Sequence, residues 1–368
     1  MKLICDGLDL SDAVLKVSKA LSVKASNPIL EGIKITAKGD TLTLLATDME
    51  LTIEKKIKAE IFEEGETCVN GKFFSDFVNK ISFTEVMIIS DEKGILIRYG
   101  SSESYMQALP ATDFPIFNGA TIPEENYFET KQDDLKELVN KVVFCCATDE
   151  SRPILKGCLL EAKNGKLYAT ALDGFRMACG YCDTATGAGD MKIVCPARTL
   201  VEISRMLENE GTVKIYADKH RLCVAVKDTV ITSRLFVGEF VKKENIYPVE
   251  FDTKVIVKKS ELVESVERAS VLTRVDKNNL VLFDIKFGKI VITANSDIGK
   301  IEESVVGDLK GLELKIAMNG KFLLDALKVL TEEKVILSFN SSIQPFTVEN
   351  IEDKRFEYLV LPVRTSNS

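Results

Sequence analysis

The sequence predicts an α+β protein made of three copies of one unit, each a sheet carrying two helices. Two repeated markers and one alternation pattern lead there. The first marker is Pro28-Ile29-Leu30-Glu31-Gly32-Ile33, which returns 125 residues later as Pro153-Ile154-Leu155-Lys156-Gly157-Cys158. Each copy leads into an apolar strand, a glycine turn and a second strand ending in an acid, Ala46-Thr47-Asp48 and then Ala171-Leu172-Asp173. A fainter third copy runs Leu280–Ile285, turns at Gly288 and ends Ala294-Asn295-Ser296. The second marker is Asn70-Gly71-Lys72-Phe73-Phe74, which recurs 249 residues on as Asn319-Gly320-Lys321-Phe322-Leu323, with Pro196-Ala197-Arg198 between them. Both markers keep a period near one third of the 368 residues, the signature of an internal repeat. The predicted domains are 1–125, 126–250 and 251–368, joined near Ile122-Pro123-Glu124-Glu125-Asn126 and Tyr247-Pro248-Val249-Glu250.

Within each unit a helix comes first: Leu10–Leu21, Gln132–Phe144 and Ser260–Val271. A hairpin with period-two apolar alternation follows, as in Ile33/Ile35 and Leu42/Leu44. The second helix opens at the Asn-Gly marker. Its apolar set is Phe73, Phe74, Phe77, Val78 and Ile81 in the first unit, and Leu200, Val201, Ile203, Met206 and Leu207 in the second. Further β-rich segments such as Val86-Met87-Ile88-Ile89 and Ile95-Leu96-Ile97-Arg98 close the unit. Strands with helices segregated on them read as α+β.

Composition narrows the function. The formal net charge is −8, with 48 basic and 56 acidic residues. That argues against coating nucleic acid by bulk attraction, though not against cations gathered on one surface. Basic residues do recur on the helices at matching phase. Lys72 and Lys80, Arg198 and Arg205, and Lys321 and Lys328 lie seven or eight residues apart, close to two turns. Lys16, Lys19, Lys24, Lys136 and Lys141 add to them from the first helices.

Nine cysteines without regular spacing read as reduced core thiols. Cys179-Gly180-Tyr181-Cys182 has the spacing of a redox motif, but the sequence around it suits a strand and loop rather than the helix such a motif needs. No second ligand pair accompanies it, so no metal site is expected. His220 is the only histidine and falls in a turn, Asp218-Lys219-His220-Arg221. There is no P-loop, no G-x-G-x-x-G and no Ser-His-Asp set. A non-enzymatic protein without a cofactor is expected, and an interaction scaffold without DNA is the alternative. Nothing approaches the apolar length of a membrane span, and Asp6 interrupts any leader-like start, so the expected location is the cytoplasm.

Several motifs together resemble a known family. They are Pro28-Ile29-Leu30 through Ala46-Thr47-Asp48-Met49-Glu50-Leu51, Leu109-Pro110-Ala111-Thr112-Asp113-Phe114-Pro115, Ala171-Leu172-Asp173-Gly174-Phe175-Arg176-Met177-Ala178 and Tyr358-Leu359-Val360-Leu361-Pro362-Val363-Arg364. The chain resembles, collinearly from Met1 to Thr365, the beta sliding clamp of bacterial replicative DNA polymerase. The resemblance implies a homodimer joined head to tail into a ring around duplex DNA, read without sequence preference and lined by twelve helices. It implies partners carrying short clamp-binding peptides, among them the polymerase catalytic subunit and the clamp loader. The basic residues above, with Arg152, would face the DNA. The strand at Met106 would meet Val271 and Leu272 of the other copy. The peptide cleft would comprise Leu155, Leu172, Gly174, Phe175, Arg176, Met177, Val241, Ile246, Ile343, Val360, Leu361, Pro362, Val363 and Arg364, with Asn319 and Phe322 at its edge. Where the family often has Thr, His and Pro, this chain has Leu172, Phe175 and Val241, making the cleft more apolar. Pro153 and Ile154 replace DNA-stacking aromatics of some members.

Overall fold

The computed structural model describes residues 1–22, 27–81, 84–115, 127–185, 190–273 and 279–364. These gather into two compact bodies. The first holds Met1–Asp133, Thr184–Gly189 and Arg198–Leu235, and the second Asp134–Asp183, Asp190–Ala197 and Phe236–Ser368. Each is built on one antiparallel sheet, of 13 strands in the first body and 12 in the second among the described residues. The expected joint at Ile122–Asn126 lies outside the described residues.

The helices are α1 (Gly7–Val17), α2 (Gly71–Val78), α3 (Gln132–Val142), α4 (Ala197–Met206), α5 (Lys259–Thr273) and α6 (Gly320–Val329). Helix α1 starts three residues before the sequence suggests. Asp6 caps it, accepting from the amides of Leu8 and Asp9, so the cap rather than the first leucine sets its start. It stops at Val17 and tightens into a 3-10 turn, Ser18–Ala20. Both Asn-Gly markers act as read. Asn70 accepts from Phe73 N, and Asn319 from Lys321 N and Phe322 N. Phe73 leaves the expected apolar stripe, however. It is 59% exposed while Phe74 and Val78 are buried, because neighbours on a helix diverge by about 100°.

The repeat is visible in the strands. Hairpin Gly32–Lys38/Thr41–Thr47 is matched by Gly157–Lys163/Lys166–Leu172 and by Leu280–Lys286/Gly288–Ser296. In the first body α1 packs on α2 and on strand Leu51–Lys58. In the second, α5 packs on α6 and on strands Gly288–Ser296 and Gly299–Lys310. Alternation puts Ile33, Ile35, Leu42 and Leu44 in the first core and Phe283, Ile285, Ile290 and Ile292 in the second.

Candidate functional site

The candidate site forms where strand Arg176–Asp183 pairs with Phe356–Val360, within the second body. The chain reaches this pairing through a tight turn at Asp173-Gly174-Phe175. The Asp173 carboxylate accepts from Phe175 N at 2.9 Å and Arg176 N at 3.0 Å. Gly174 takes φ +94, which other residues adopt only with strain. Beyond the strand the C-terminal segment is pinned, Leu361 N to Phe175 O and Val363 N to Ala317 O, each at 2.8 Å.

An apolar cluster lies beside this pairing. Leu155, Leu172, Met177 and Leu359 are buried in it with Val194 and Phe240, and Ile154, Phe236, Ile246, Tyr247 and Leu361 pack partly buried against it. Phe175, Val241 and Ile343 stand exposed, at 61%, 37% and 54%. Phe175 stacks on Phe322 with ring centroids 6.3 Å apart. Arg176 ties these parts together. Its guanidinium donates to Asp173 at 2.9 Å, to Asp325 at 2.7 Å and to Phe144 O at 3.2 Å, and lies 4.5 Å over the Phe322 ring. Burial opposes its charge, but the bonds to Asp325 and Asp173 outweigh that and hold it above the ordinary guanidinium value. With its donors so engaged, Arg176 shapes the wall rather than offering a free cation. Asn319 likewise uses its oxygen as the α6 cap.

One expected cleft residue is displaced. Val360 is 1% exposed and stands outside the cluster, whereas Leu359 belongs to it and Leu361 packs against it. Successive side chains on a strand face opposite ways, so an assignment one residue off lands on the wrong side. Phe236, Phe240, Tyr247 and Leu359 were not anticipated. The signal for Phe236, Phe240 and Tyr247 is the apolar content of the segment Phe236–Tyr247, and Leu359 is the neighbour of the expected Val360.

The redox alternative fails on geometry. Cys179 and Cys182 lie three apart on one strand, so they point to opposite faces, and both are buried. Burial also pushes the Cys179 thiol up to about 11, against a lowering by Lys243. No group of three or more metal-ligating side chains occurs among the described residues. Among the described residues no helix is long and apolar enough to cross a membrane.

Comparison with known proteins decides the family. The chain matches the N-terminal, central and C-terminal domains of the DNA polymerase III beta subunit over residues 1–118, 129–242 and 244–364. It is 32% identical to the beta sliding clamp of Bacillus subtilis (strain 168), covering 97% of both chains. The chain belongs to the beta sliding clamp family, the beta subunit of DNA polymerase III. A solved Bacillus subtilis sliding clamp superposes with a TM-score of 0.95 at 31% identity over 99% of each chain. A Pseudomonas aeruginosa clamp, solved bound to griselimycin, gives 0.93 at 26% identity over 99% of this chain and all of that one.

The cations that a sliding clamp would turn toward DNA divide into three groups. Lys72, Lys80, Arg152, Arg198, Arg205, Lys321 and Lys328 are exposed, and Lys136 is half-buried. Several carry acid partners: Asp48 on Arg198, Glu202 on Arg205, and Glu267 on Lys328. Lys24 lies outside the described residues. Lys141 is a correction. It is 7% exposed, paired with Glu137 at 2.6 Å and set 4.4 Å over the Phe356 ring, so it braces the interior instead of facing solvent. Strand Phe356–Val360, far away in sequence, covers it. At the expected dimer contact Val271 is 61% exposed and Leu272 half-buried, but Met106 is buried within its own body. The alternation of strand Ser102–Leu109 turns Tyr105, at 53%, outward in its place.

Proposed function

We propose that two copies of this chain close head to tail into a ring around duplex DNA, and that partners dock at the cleft beside Leu359 and Leu361. The carrying observation is a repeated strand joint. Strand Leu51–Lys58 pairs antiparallel with Thr229–Arg234, Leu51 opposite Ser233. Strand Arg176–Asp183 pairs the same way with Phe356–Val360, Arg176 opposite Val360. In the third repeat of this plan the matching edge is open over Gly299–Val306 among the described residues. Gly299–Lys310 pairs on one side with Gly288–Ser296, yet on the other only Gly307–Lys310 are used. Among the described residues, strand Ser102–Leu109 pairs over Ser102–Gln107 with Gly94–Tyr99, while its other edge uses only Ala108 and Leu109. Two open edges of matching polarity in one chain invite a head-to-tail contact between copies, and such a contact ends in a ring when the rotation closes.

The register follows from the repeat. Leu51 plus 248 gives Gly299, and Ser233 minus 127 gives Met106. Met106 of one copy would then face Gly299 of the other, with Tyr105 facing Lys300. Val271 and Leu272, at the end of α5, would flank that seam. Three units per copy, 1–125, 126–250 and 251–368, would give six around the hole.

A ring separates retention from adhesion. Each neutralised phosphate adds about 0.9 to the salt slope, so tight contacts would hold the DNA but hinder sliding. Cations half-satisfied by Asp48, Glu202 and Glu267 on an acidic chain suit weak, sequence-blind centring. The role is a non-catalytic one in the cytoplasm, without a cofactor: the clamp tethers polymerase and is placed by its loader. At the cleft, fully burying a Leu or Phe anchor contributes about 1.5–3 kcal/mol. Two anchors with a few hydrogen bonds approach micromolar affinity, about −8 kcal/mol, weak enough for partners to exchange. A processivity assay tests the role. Product length per polymerase binding event should rise on primed circles with the chain and its loader; unchanged length would refute it.

A further inference from the structure

The two strand joints share one backbone plan, yet only one carries the apolar cleft. At the second joint Asp173 accepts from the amides of Phe175 and Arg176, and Leu361 N donates to Phe175 O. At the first, Asp48 accepts from the amides of Glu50 and Leu51 at 3.0 and 2.8 Å, and Arg234 N donates to Glu50 O at 2.8 Å. Met49 takes φ +76 where Gly174 takes φ +94. With the backbone in common, the matched side chains change character. Leu172 is answered by Thr47, Met177 by Thr52, Leu359 by Thr232, Phe175 by Glu50 and Leu361 by Arg234.

A cavity of about 480 Å³ opens at this first joint, wholly within the first body. That is within the usual size of a ligand site. Its floor is hydroxylated and buried: Thr47 Oγ1 and Thr52 Oγ1 lie 2.7 Å apart, with Thr232 and Ser233 beside them. Its rim carries Arg234, Arg221 and His220 against a single acid, Glu50. Arg221 is shared with Asp218 at 3.2 Å. The Arg234 guanidinium has no hydrogen bond or ion pair among the described residues.

We propose that the first joint is a second docking pocket, taking the acidic side chain of a short peptide where the second joint takes apolar anchors. The proposal rests on the reading of the second joint as a peptide cleft. The floor hydroxyls bond one another and neighbouring groups, so the group an apolar anchor would leave without an acceptor is the Arg234 guanidinium. A carboxylate can accept from the planar fork of Arg234 through two oxygens. Glu50 restricts the occupant to one acid, since a second would be repelled. A partner peptide could thus be read at both joints, by grease at one and by charge at the other.

His220 reports on this pocket alone, being the only histidine in the chain. The full-length protein, labelled at the histidine ring carbon, is titrated by NMR with acetyl-Ala-Glu-Leu amide. The signal should shift saturably. Replacing the peptide's Glu by Gln, or making Arg234→Gln in the protein, should each weaken binding about tenfold, as for loss of a charged hydrogen bond. Arg234→Lys should recover part of it, and Phe175→Ala should change nothing. No shift at millimolar peptide, equal binding of the Gln peptide, or displacement of the peptide by a duplex oligonucleotide would overturn the proposal. A separate probe, acetyl-Leu-Ala-Leu-Phe amide, monitors the second joint. If its binding ignores Phe175→Ala, the cleft reading fails whatever His220 reports.

Discussion

Arg176 Nη1 donates to Asp325 Oδ2 at 2.7 Å, joining the start of strand Arg176–Asp183 to helix α6 across 149 residues of sequence. The side chains are 11% and 29% exposed. Breaking such a pair leaves the guanidinium partly desolvated and short of one acceptor. Asp325→Ala should cost about 1–3 kcal/mol of stability and weaken peptide binding, because Phe322 and Phe175 lose the surface they lean on. Urea unfolding and fluorescence anisotropy measure the two effects, and Asp325→Asn should restore most of the stability.

Phe175 separates docking from folding. It is 61% exposed, so Phe175→Ala should change stability by less than about 0.5 kcal/mol. Affinity for an apolar peptide should nevertheless fall about tenfold, the value of burying an aromatic anchor. Leu359→Ser should lose both, since Leu359 is 2% exposed.

Lys141 and Lys321 should behave oppositely. Lys141→Met removes a cation buried against Glu137 and Phe356 and should alter stability without changing the salt slope of DNA association. Lys321→Gln, at an exposed site, should leave stability unchanged and reduce that slope by up to about 1. Salt-dependent binding to short duplexes, before ring closure, distinguishes them.

Alkaline pH should unfold the protein early. Burial pushes the thiols of Cys5, Cys68 and Cys146 up to about 12 and that of Cys179 to about 11, against an ordinary value of 9.0. A thiol whose folded value is raised favours folding while both states stay protonated. Its contribution is present below about pH 9 and is lost as pH climbs through 9 to 12. Urea midpoints at pH 7.5 and 10 should show the fall, and Cys179→Ala should make it shallower.

Much of this was legible in the sequence, and the failures have a common cause. The Asn70 and Asn319 caps, the Asp48 and Asp173 turns and the paired hairpins depend on neighbours within a few residues, and all appear where local chemistry puts them. Val360 was misassigned because facing depends on register, which one residue inverts. Lys141 looked exposed on its own helix, yet Tyr358 Oη bonds its carbonyl at 2.9 Å and Phe356 covers its ammonium. The Met106 side chain points inward and Tyr105 outward, a facing set by strands elsewhere in the sheet. The polar pocket at the first joint needed the pairing of Leu51 with Ser233, across 182 residues.

The proposed seam predicts a specific crosslink. With Tyr105→Cys and Lys300→Cys in one chain, a short bismaleimide should join two copies, because these positions would face each other. All nine native cysteines are buried and should stay unreacted. Tyr105→Cys with Lys315→Cys should give no such product.

Retention on DNA tests the central claim most directly. Loaded onto nicked circular duplex, the protein should remain for many minutes in moderate salt, and cutting the circle once should release it within seconds. Equal lifetimes on circular and linear DNA would mean that contacts rather than enclosure hold the DNA, and the ring account would be wrong.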